Sequence, residues 1–325
     1  MEDIMERKQE TTGIKLFTLN SNRELAAKIA DYMNVELCDA SIKHFSDGEI
    51  QIKVNESIRG DDVYVIQSIA DPINENFMEL MVMIDALRRS SAGTINVVIP
   101  YYGYARADRK TRSREPITAK LIANLIEMAG VDRVIAMDLH AAQLQGFFNI
   151  PVDHIFAIFE QAKYFKEKGL DHDVVVVAPD HSSVKGARNL AELLKAPIAI
   201  IDERHVDGKT YNAVIGDVKG YRCIVVDDMI DTGHRMMTAA TTLKEAGATD
   251  IYACATHAIL SGTSVEDLKK SDFCEVVVTD TISLPEEKKF DKLTTISVAE
   301  VLGEAISLIY NNHSVNELFD KSSDI

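Results

Sequence analysis

Tryptophan is absent, and phenylalanine and tyrosine together supply only 6% of the sequence, so any core must be built mainly from aliphatic side chains. Cysteine is scarce as well. Cys38, Cys223, Cys254 and Cys274 lie far apart with no CxxC spacing, which argues against a zinc ribbon or a disulfide framework. Three of the four fall in strand-like runs, and buried free thiols in a reducing cytoplasm are the expectation. No apolar run approaches the ~18 residues a membrane span needs, and Met1 to Thr12 is polar and charged, without a signal-like stretch. Basic residues are outnumbered 35 to 51, for a net charge of −16, which speaks against nucleic acid or an anionic membrane as a partner. Neither GxxxxGK[ST] nor a GxGxxG after the first strand occurs, which excludes a P-loop route and a dinucleotide-binding dehydrogenase.

What remains is a long aliphatic chain, 325 residues with 46% hydrophobic content, enough for about two domains. Apolar runs of strand length alternate with helix-period segments, which predicts an α/β fold. After a loose tail over 1–13, the reading runs strand Ile14 to Leu19, helix Arg23 to Met33 opened by Ser21, and a hairpin from His44 to Val54 turning at Asp47-Gly48. Strand Asp62 to Gln67, helix Asn74 to Ser90 and strand Ile95 to Pro100 follow. A helix from Pro116 to Ala129 and a strand from Arg133 to Leu139 then lead to a hinge at Ile150 to Ile155. The second half repeats the layout. It runs helix Ala157 to Lys168, strand Val174 to Ala178, a helix through Leu194, strand Ile198 to Ile201, a polar loop Asp202 to Asn212, and strand Cys223 to Val226. Helix Met236 to Ala246, strands Ile251 to Thr256 and Glu275 to Thr279, and helix Val298 to Tyr310 complete the second domain. The boundaries are 14–156 and 157–325.

Three strands end in groups able to do chemistry: His140, Asp180, and the Asp227, Asp228, Asp231 cluster of DDMIDTG. In an open α/β sheet the carboxyl edge is where ligands bind, and a helix amino terminus after Gly233 offers amides and dipole to a phosphate. Acidic side chains there can hold ribose hydroxyls or magnesium. A fourth strand opens into YYGYARADRKTRSREPITAKL, which gathers Arg106, Arg109, Lys110, Arg112 and Arg114 among Tyr101, Tyr102 and Tyr104. In an acidic protein this loop suits a polyphosphate and a stacked base.

The segments FSDGEI, INVVIPYYGYAR, RSREPITAKL and DLHAAQLQGFF, with DDMIDTG and THAILSG later, resemble ribose-phosphate pyrophosphokinase, the enzyme that makes phosphoribosyl pyrophosphate. The resemblance covers nearly the whole chain from Ile14. It implies two tandem phosphoribosyltransferase-like domains, each a mainly parallel sheet flanked by helices, with an ATP side and then a ribose-phosphate side. It also implies assembly as a dimer-based hexamer, magnesium, and transfer of the β,γ-diphosphate of ATP to ribose 5-phosphate. Phe45, Asp47 and Glu49 would contact adenine from a neighbouring subunit. Arg106 and Asp108 would hold ATP, and His140 and Asp180 the magnesium. Asp227 and Asp228 would hold the ribose hydroxyls, and Asp231, Thr232 and Gly233 would surround the 5-phosphate. Ser57, Arg59, Ser113 and Arg114 fall near the family's phosphate-activator site, so phosphate and ADP are the expected effectors.

Departures from the family pattern cluster on the sugar side. Glu203 stands where the family has a catalytic Lys, with Arg204 and Lys209 as the cations at hand to substitute, and His205 replaces an Arg. DTGGT reads Asp231-Thr232-Gly233-His234-Arg235, which puts His234 where a glycine's left-handed backbone is expected. Ser182 and Ser183 replace glycines, Gly186 a basic residue and Ala107 a glutamine. Two readings stay open, an active homo-oligomeric enzyme and a regulatory or scaffolding subunit in a mixed hexamer with an active paralogue. A phosphoribosyltransferase would leave the ATP-side segments without a purpose.

Overall fold

The computed structural model describes residues 13–206 and 209–320; the side chains at 205, 206, 209, 210 and 320, and the expected tail before residue 13, lie outside that description. The chain divides into two compact units. Unit one takes the described residues of Met1–Phe156 with Thr281–Ser283 and Ala299–Asp320, and unit two takes Ala157–Asp280 and Leu284–Val298.

In unit one, β1 (Ile14–Thr18), β4 (Asp62–Ile66), β5 (Thr94–Ile99), β6 (Arg133–Met137) and β7 (Val152–Ile155) form a parallel sheet in the order β1-β4-β5-β6-β7. The separate hairpin of β2 (Ala40–His44) and β3 (Ile50–Val54) is antiparallel, and its half-buried and exposed residues alternate with period two. Helices α1 (Arg23–Met33), α2 (Ile73–Arg89) and α3 (Thr118–Ala129) connect the strands. The apolar faces of α2 and α3, including Leu80, Ile84, Ile122 and Ile126, pack with Phe17, Val65 and Val97 in an aliphatic core. The segment from Ile150 to Ile155 is no hinge. It pairs with β6 as the edge strand, because Val152 and Ile155 carry sheet register that a four-residue stretch barely signals. Asn22, not Ser21, caps α1, accepting from the Leu25 amide at 3.2 Å; the Ser21 hydroxyl is used by Gln67.

Unit two has a seven-stranded sheet in the order β10-β9-β8-β11-β12-β13-β14, built from β8 (Val174–Ala178), β9 (Ile198–Val206), β10 (Lys209–Ile215), β11 (Arg222–Ile230), β12 (Ile251–Ala258), β13 (Glu275–Thr279) and β14 (Leu293–Ile296). All neighbours run parallel except β9 and β10. Helices α4 (Ile158–Glu167), α5 (Val184–Leu194), α6 (His234–Glu245) and α7 (Ser264–Lys270) flank it. All five residues of β8 are buried, as expected of a strand covered on both faces. Of the stretch from Asp202 to Asn212, read as a polar loop, residues 202–206 and 209–212 are instead part of the β9–β10 ribbon, with Glu203 opposite Asn212. An edge ribbon tolerates polar side chains, so its composition mimics a loop.

The last long helix, α8 (Ala299–Tyr310), corrects the expected boundary at 157–325. It belongs to unit one, where it packs against α1. Gly303 makes that approach possible, since a Cβ there would lie 2.6 Å from the Tyr32 ring. Of the cysteines, Cys223 and Cys254 are buried as expected, while Cys38 is half-buried and Cys274 exposed, both just outside strands.

Candidate active site

In unit two, β11 keeps strand geometry through Ile230, so Asp227 and Asp228 lie inside the strand and not in the turn after it. Successive strand residues face opposite ways. Asp227 is accordingly buried, and Asp228 only partly so. The Ser183 hydroxyl reaches Asp227 Oδ1 at 2.8 Å, and the Asp228 amide reaches the same oxygen at 3.0 Å.

Asp180 follows β8 on the same carboxyl edge and is the centre of a dense donor set. Its Oδ1 receives the Ser182 amide at 2.8 Å, the Ser182 hydroxyl at 2.5 Å and the Ser183 amide at 3.1 Å. Its Oδ2 receives Nη1 of Arg235, whose Nη2 lies 3.3 Å from Asp227 Oδ2. Arg235 thus straps the end of β8 to the end of β11 from the first turn of α6. Burial pushes the Asp180 carboxyl up, but the Ser182 hydroxyl and the Arg235 guanidinium outweigh it and hold the group at about 2. Burial, then the neighbouring Asp228 charge, pushes Asp227 the other way, to about 7, against the pull of Arg235.

Asp231, Thr232 and Gly233 form the turn into α6. Asp231 accepts from the Ser261 hydroxyl, and the Ser261 amide donates to its carbonyl at 3.1 Å, which pins the turn to the end of β12. Gly233 carries the left-handed backbone, with φ of +76°, and His234 is simply the first helical residue, so the strain expected at His234 does not arise.

The cations expected to substitute for the missing Lys are differently placed. Arg204 Nε donates to Asp202 Oδ2 at 2.5 Å, and His181 Nε2 lies 3.2 Å from Asp202 Oδ1. Glu203 is exposed on β9, and the side chains of His205 and Lys209 lie outside the described residues. Sequence reasoning singled out Ser183 and Arg235 as departures without finding their partners, and it missed Asp202 altogether. A hydrophobic strand that runs straight into Asp202-Glu203-Arg204 was the available signal.

In unit one, Phe45, Asp47 and Glu49 sit in the exposed tip of the hairpin, closed by Phe45 amide to Glu49 carbonyl at 2.8 Å and the Glu49 amide to Asp47 Oδ1 at 3.2 Å. Arg106 and Asp108 lie in the loop after β5, Arg106 exposed and Asp108 within 3.2 Å of Gln143 Nε2. His140 stands exposed after β6. The tyrosines do not form the expected stacking surface. Tyr101 and Tyr102 are buried, Tyr102 donating to the Ala119 carbonyl at 3.2 Å, and Tyr104 is spent on Asn74. Apolar strand ends pull aromatic rings inward, whereas Phe45 in the hairpin tip is 38% exposed.

A magnesium ion does not fit Asp180 as this carboxylate stands, because both oxygens are engaged and one neighbour is a guanidinium. Among the described residues, no three His, Cys, Asp or Glu side chains are grouped to hold a metal.

Residues 14–130 match the model of the N-terminal domain of ribose phosphate pyrophosphokinase, and residues 202–320 match that of the phosphoribosyl synthetase-associated domain. A ribose-phosphate pyrophosphokinase 1 of Listeria monocytogenes is 55% identical over 94% of this chain and 97% of its own length. The chain belongs to the ribose-phosphate pyrophosphokinase family. A ribose-phosphate pyrophosphokinase of Bacillus caldolyticus is also 55% identical, over 94% of this chain and 98% of its own. The crystal structure of phosphoribosylpyrophosphate synthetase from Mycobacterium smegmatis superposes with a TM-score of 0.88 at 41% identity, covering 93% of this chain and all of that one. The two-unit α/β architecture is therefore that of a pyrophosphokinase of this family. No membrane-crossing helix is present among the described residues.

Proposed function

We propose that this family member binds Mg-ATP through unit one and ribose 5-phosphate through unit two, and transfers diphosphate between them in the cytoplasm to give phosphoribosyl pyrophosphate and AMP. The carboxylate, serine and guanidinium cluster on the carboxyl edge of the second sheet, in a chain 55% identical to named pyrophosphokinases, carries the reading. In the reaction the anomeric oxygen forms a bond to the β-phosphorus as the bond from that phosphorus to the bridging α-oxygen breaks. AMP departs with that oxygen and its electron pair, and the proton of the anomeric hydroxyl passes to solvent. Catalysis of this kind is positioning plus neutralisation of the triphosphate's charge. Arg106 in the basic loop would supply part of that neutralisation, and the exposed tip at Phe45, Asp47 and Glu49 would contact the base. Magnesium would enter as part of the nucleotide substrate. Asp228 would face the ribose hydroxyls, and the turn amides at Asp231 to Gly233 the 5-phosphate.

Burial against another subunit is supported by α3. Every exposed residue of this helix, Leu121, Leu125 and Met128, is apolar, and Met128 is 79% exposed.

A second reading, a subunit that binds nucleotide and turns over only with an active paralogue, is favoured by Arg235. This guanidinium ties up Asp180 and Asp227, two carboxylates of the edge where the sugar phosphate would bind. Purified protein with ATP, ribose 5-phosphate, magnesium and phosphate, scored for AMP release, separates the two. Turnover at the rate of an active relative eliminates the second reading, and nucleotide binding without turnover eliminates the first.

A further inference from the structure

Away from the acidic cluster, Glu79 on α2 is a heavily coordinated carboxylate, with a side chain only 1% exposed. Its Oε1 accepts Asn20 Nδ2 at 2.5 Å, and its Oε2 accepts the Asn20 amide at 3.2 Å and Gln67 Nε2 at 3.1 Å. Asn20 follows β1 and Gln67 follows β4, so Glu79 is fixed to the carboxyl edge of the first sheet. The remaining contact on Oε1 is His44 Nε2 at 2.7 Å, while His44 Nδ1 lies 2.8 Å from Glu75 Oε1, one turn earlier on α2.

His44 is the last residue of β2, and among the described residues the hairpin it belongs to is paired with no other strand. A neutral imidazole carries one N–H, so its other nitrogen would direct a lone pair at a carboxylate oxygen less than 3 Å away; only the imidazolium donates to both. The charged groups facing the ring are Glu75 and Glu79, with Lys43 on its own strand turned over the Phe45 ring at 4.7 Å. We propose that His44 is a positioning residue: doubly donating, it ties the hairpin to Glu75 and Glu79 and so fixes the tip that carries Phe45, Asp47 and Glu49. The inference rests on the nucleotide reading of that tip. Loss of one ring proton frees one end of the tie, and nucleotide affinity falls with it.

The test is calorimetric titration of the full-length protein with Mg-ATP from about pH 5 to about pH 8, the range in which histidines change charge. Wild type, His44→Arg and His44→Gln are compared. Arginine keeps two donors at every pH, and the ratio of wild type to His44→Arg cancels the nucleotide's own titration. That ratio is expected to fall roughly three- to tenfold across the range, with His44→Gln weak at both ends. A flat ratio, or His44→Gln binding as wild type does throughout, overturns the proposal. Nitrogen-15 spectra of the His44 ring provide the second readout, with N–H signals on both nitrogens at the acid end expected. A single N–H there refutes the tie. Should wild type bind no Mg-ATP, the nucleotide role falls, and the ring spectra still decide whether the tie itself exists.

Discussion

Replacing Arg235 with threonine removes the strap between Asp180 and Asp227, and its effect on sugar-phosphate binding has a sign that decides what the guanidinium is for. At an effective dielectric of about 20, unit charges separated as Arg235 and Asp227 are attract by about 5 kcal/mol. Arg235 is 47% exposed, so screening and side-chain entropy reduce the net value of each pair to about 1 kcal/mol. A ligand that must break both pairs to enter therefore loses about 1.4–2.8 kcal/mol, a tenfold to hundredfold weakening. Isothermal titration of ribose 5-phosphate into Arg235→Thr, in parallel with wild type, is expected to show that factor as a gain in affinity. Asp227 gives an internal control, because without the guanidinium its carboxylate is left facing Asp228. The variant should lose more thermal stability at pH 8 than at pH 6, where Asp227 takes up a proton and the uncompensated charge disappears. If ribose 5-phosphate binds Arg235→Thr more weakly than wild type, Arg235 grips the 5-phosphate and the strap argument is wrong.

Glu203→Lys should raise AMP release by about tenfold or more and leave Mg-ATP affinity unchanged, because Glu203 is an exposed β9 residue of unit two; steady-state rates with calorimetry check both parts. Asp227, at about 7 when folded, holds its proton more tightly than the unfolded chain does, so its contribution to stability falls as pH rises from about 4 to about 7. Asp180, held at about 2, works in the opposite direction, its contribution complete above about pH 4 and lost as pH falls toward 2. Melting curves of wild type and Asp227→Asn at pH 5 and pH 8 should show the steeper loss in wild type, and parallel curves would contradict the assignment. The pair Leu121→Glu with Leu125→Glu should convert the assembly to smaller species by light scattering, since it puts charge on the apolar face of α3; an unchanged mass would remove that face from the interface.

The buried strands were the most legible part of the chain. Val174–Ala178 and Glu275–Thr279 could be read to the residue, because a β-branched run flanked by polar residues has little alternative to a covered strand. The β9–β10 ribbon was not legible, since edge strands carry the polar side chains of loops, and nothing local to Glu203 or Asn212 announces their pairing. The catalytic-looking strand ends were visible one at a time, but the ties among them were not. Arg235 lies 55 residues from Asp180 in sequence, and only the parallel pairing of β8 with β11 brings their carboxyl ends side by side. The left-handed position was misplaced by one residue, at His234 instead of Gly233, because a motif fixes the order of residues but not where the helix begins.

The return of α8 to unit one bears on how the protein is born. Residues that finish unit one emerge from the ribosome after the described part of unit two, and Gly303 must still find Tyr32 across some 270 intervening positions. The earlier unit can therefore collapse during synthesis but cannot seal against solvent until translation has almost ended, so a nonsense codon anywhere before Ala299 strips that first-made unit of its last covering helix.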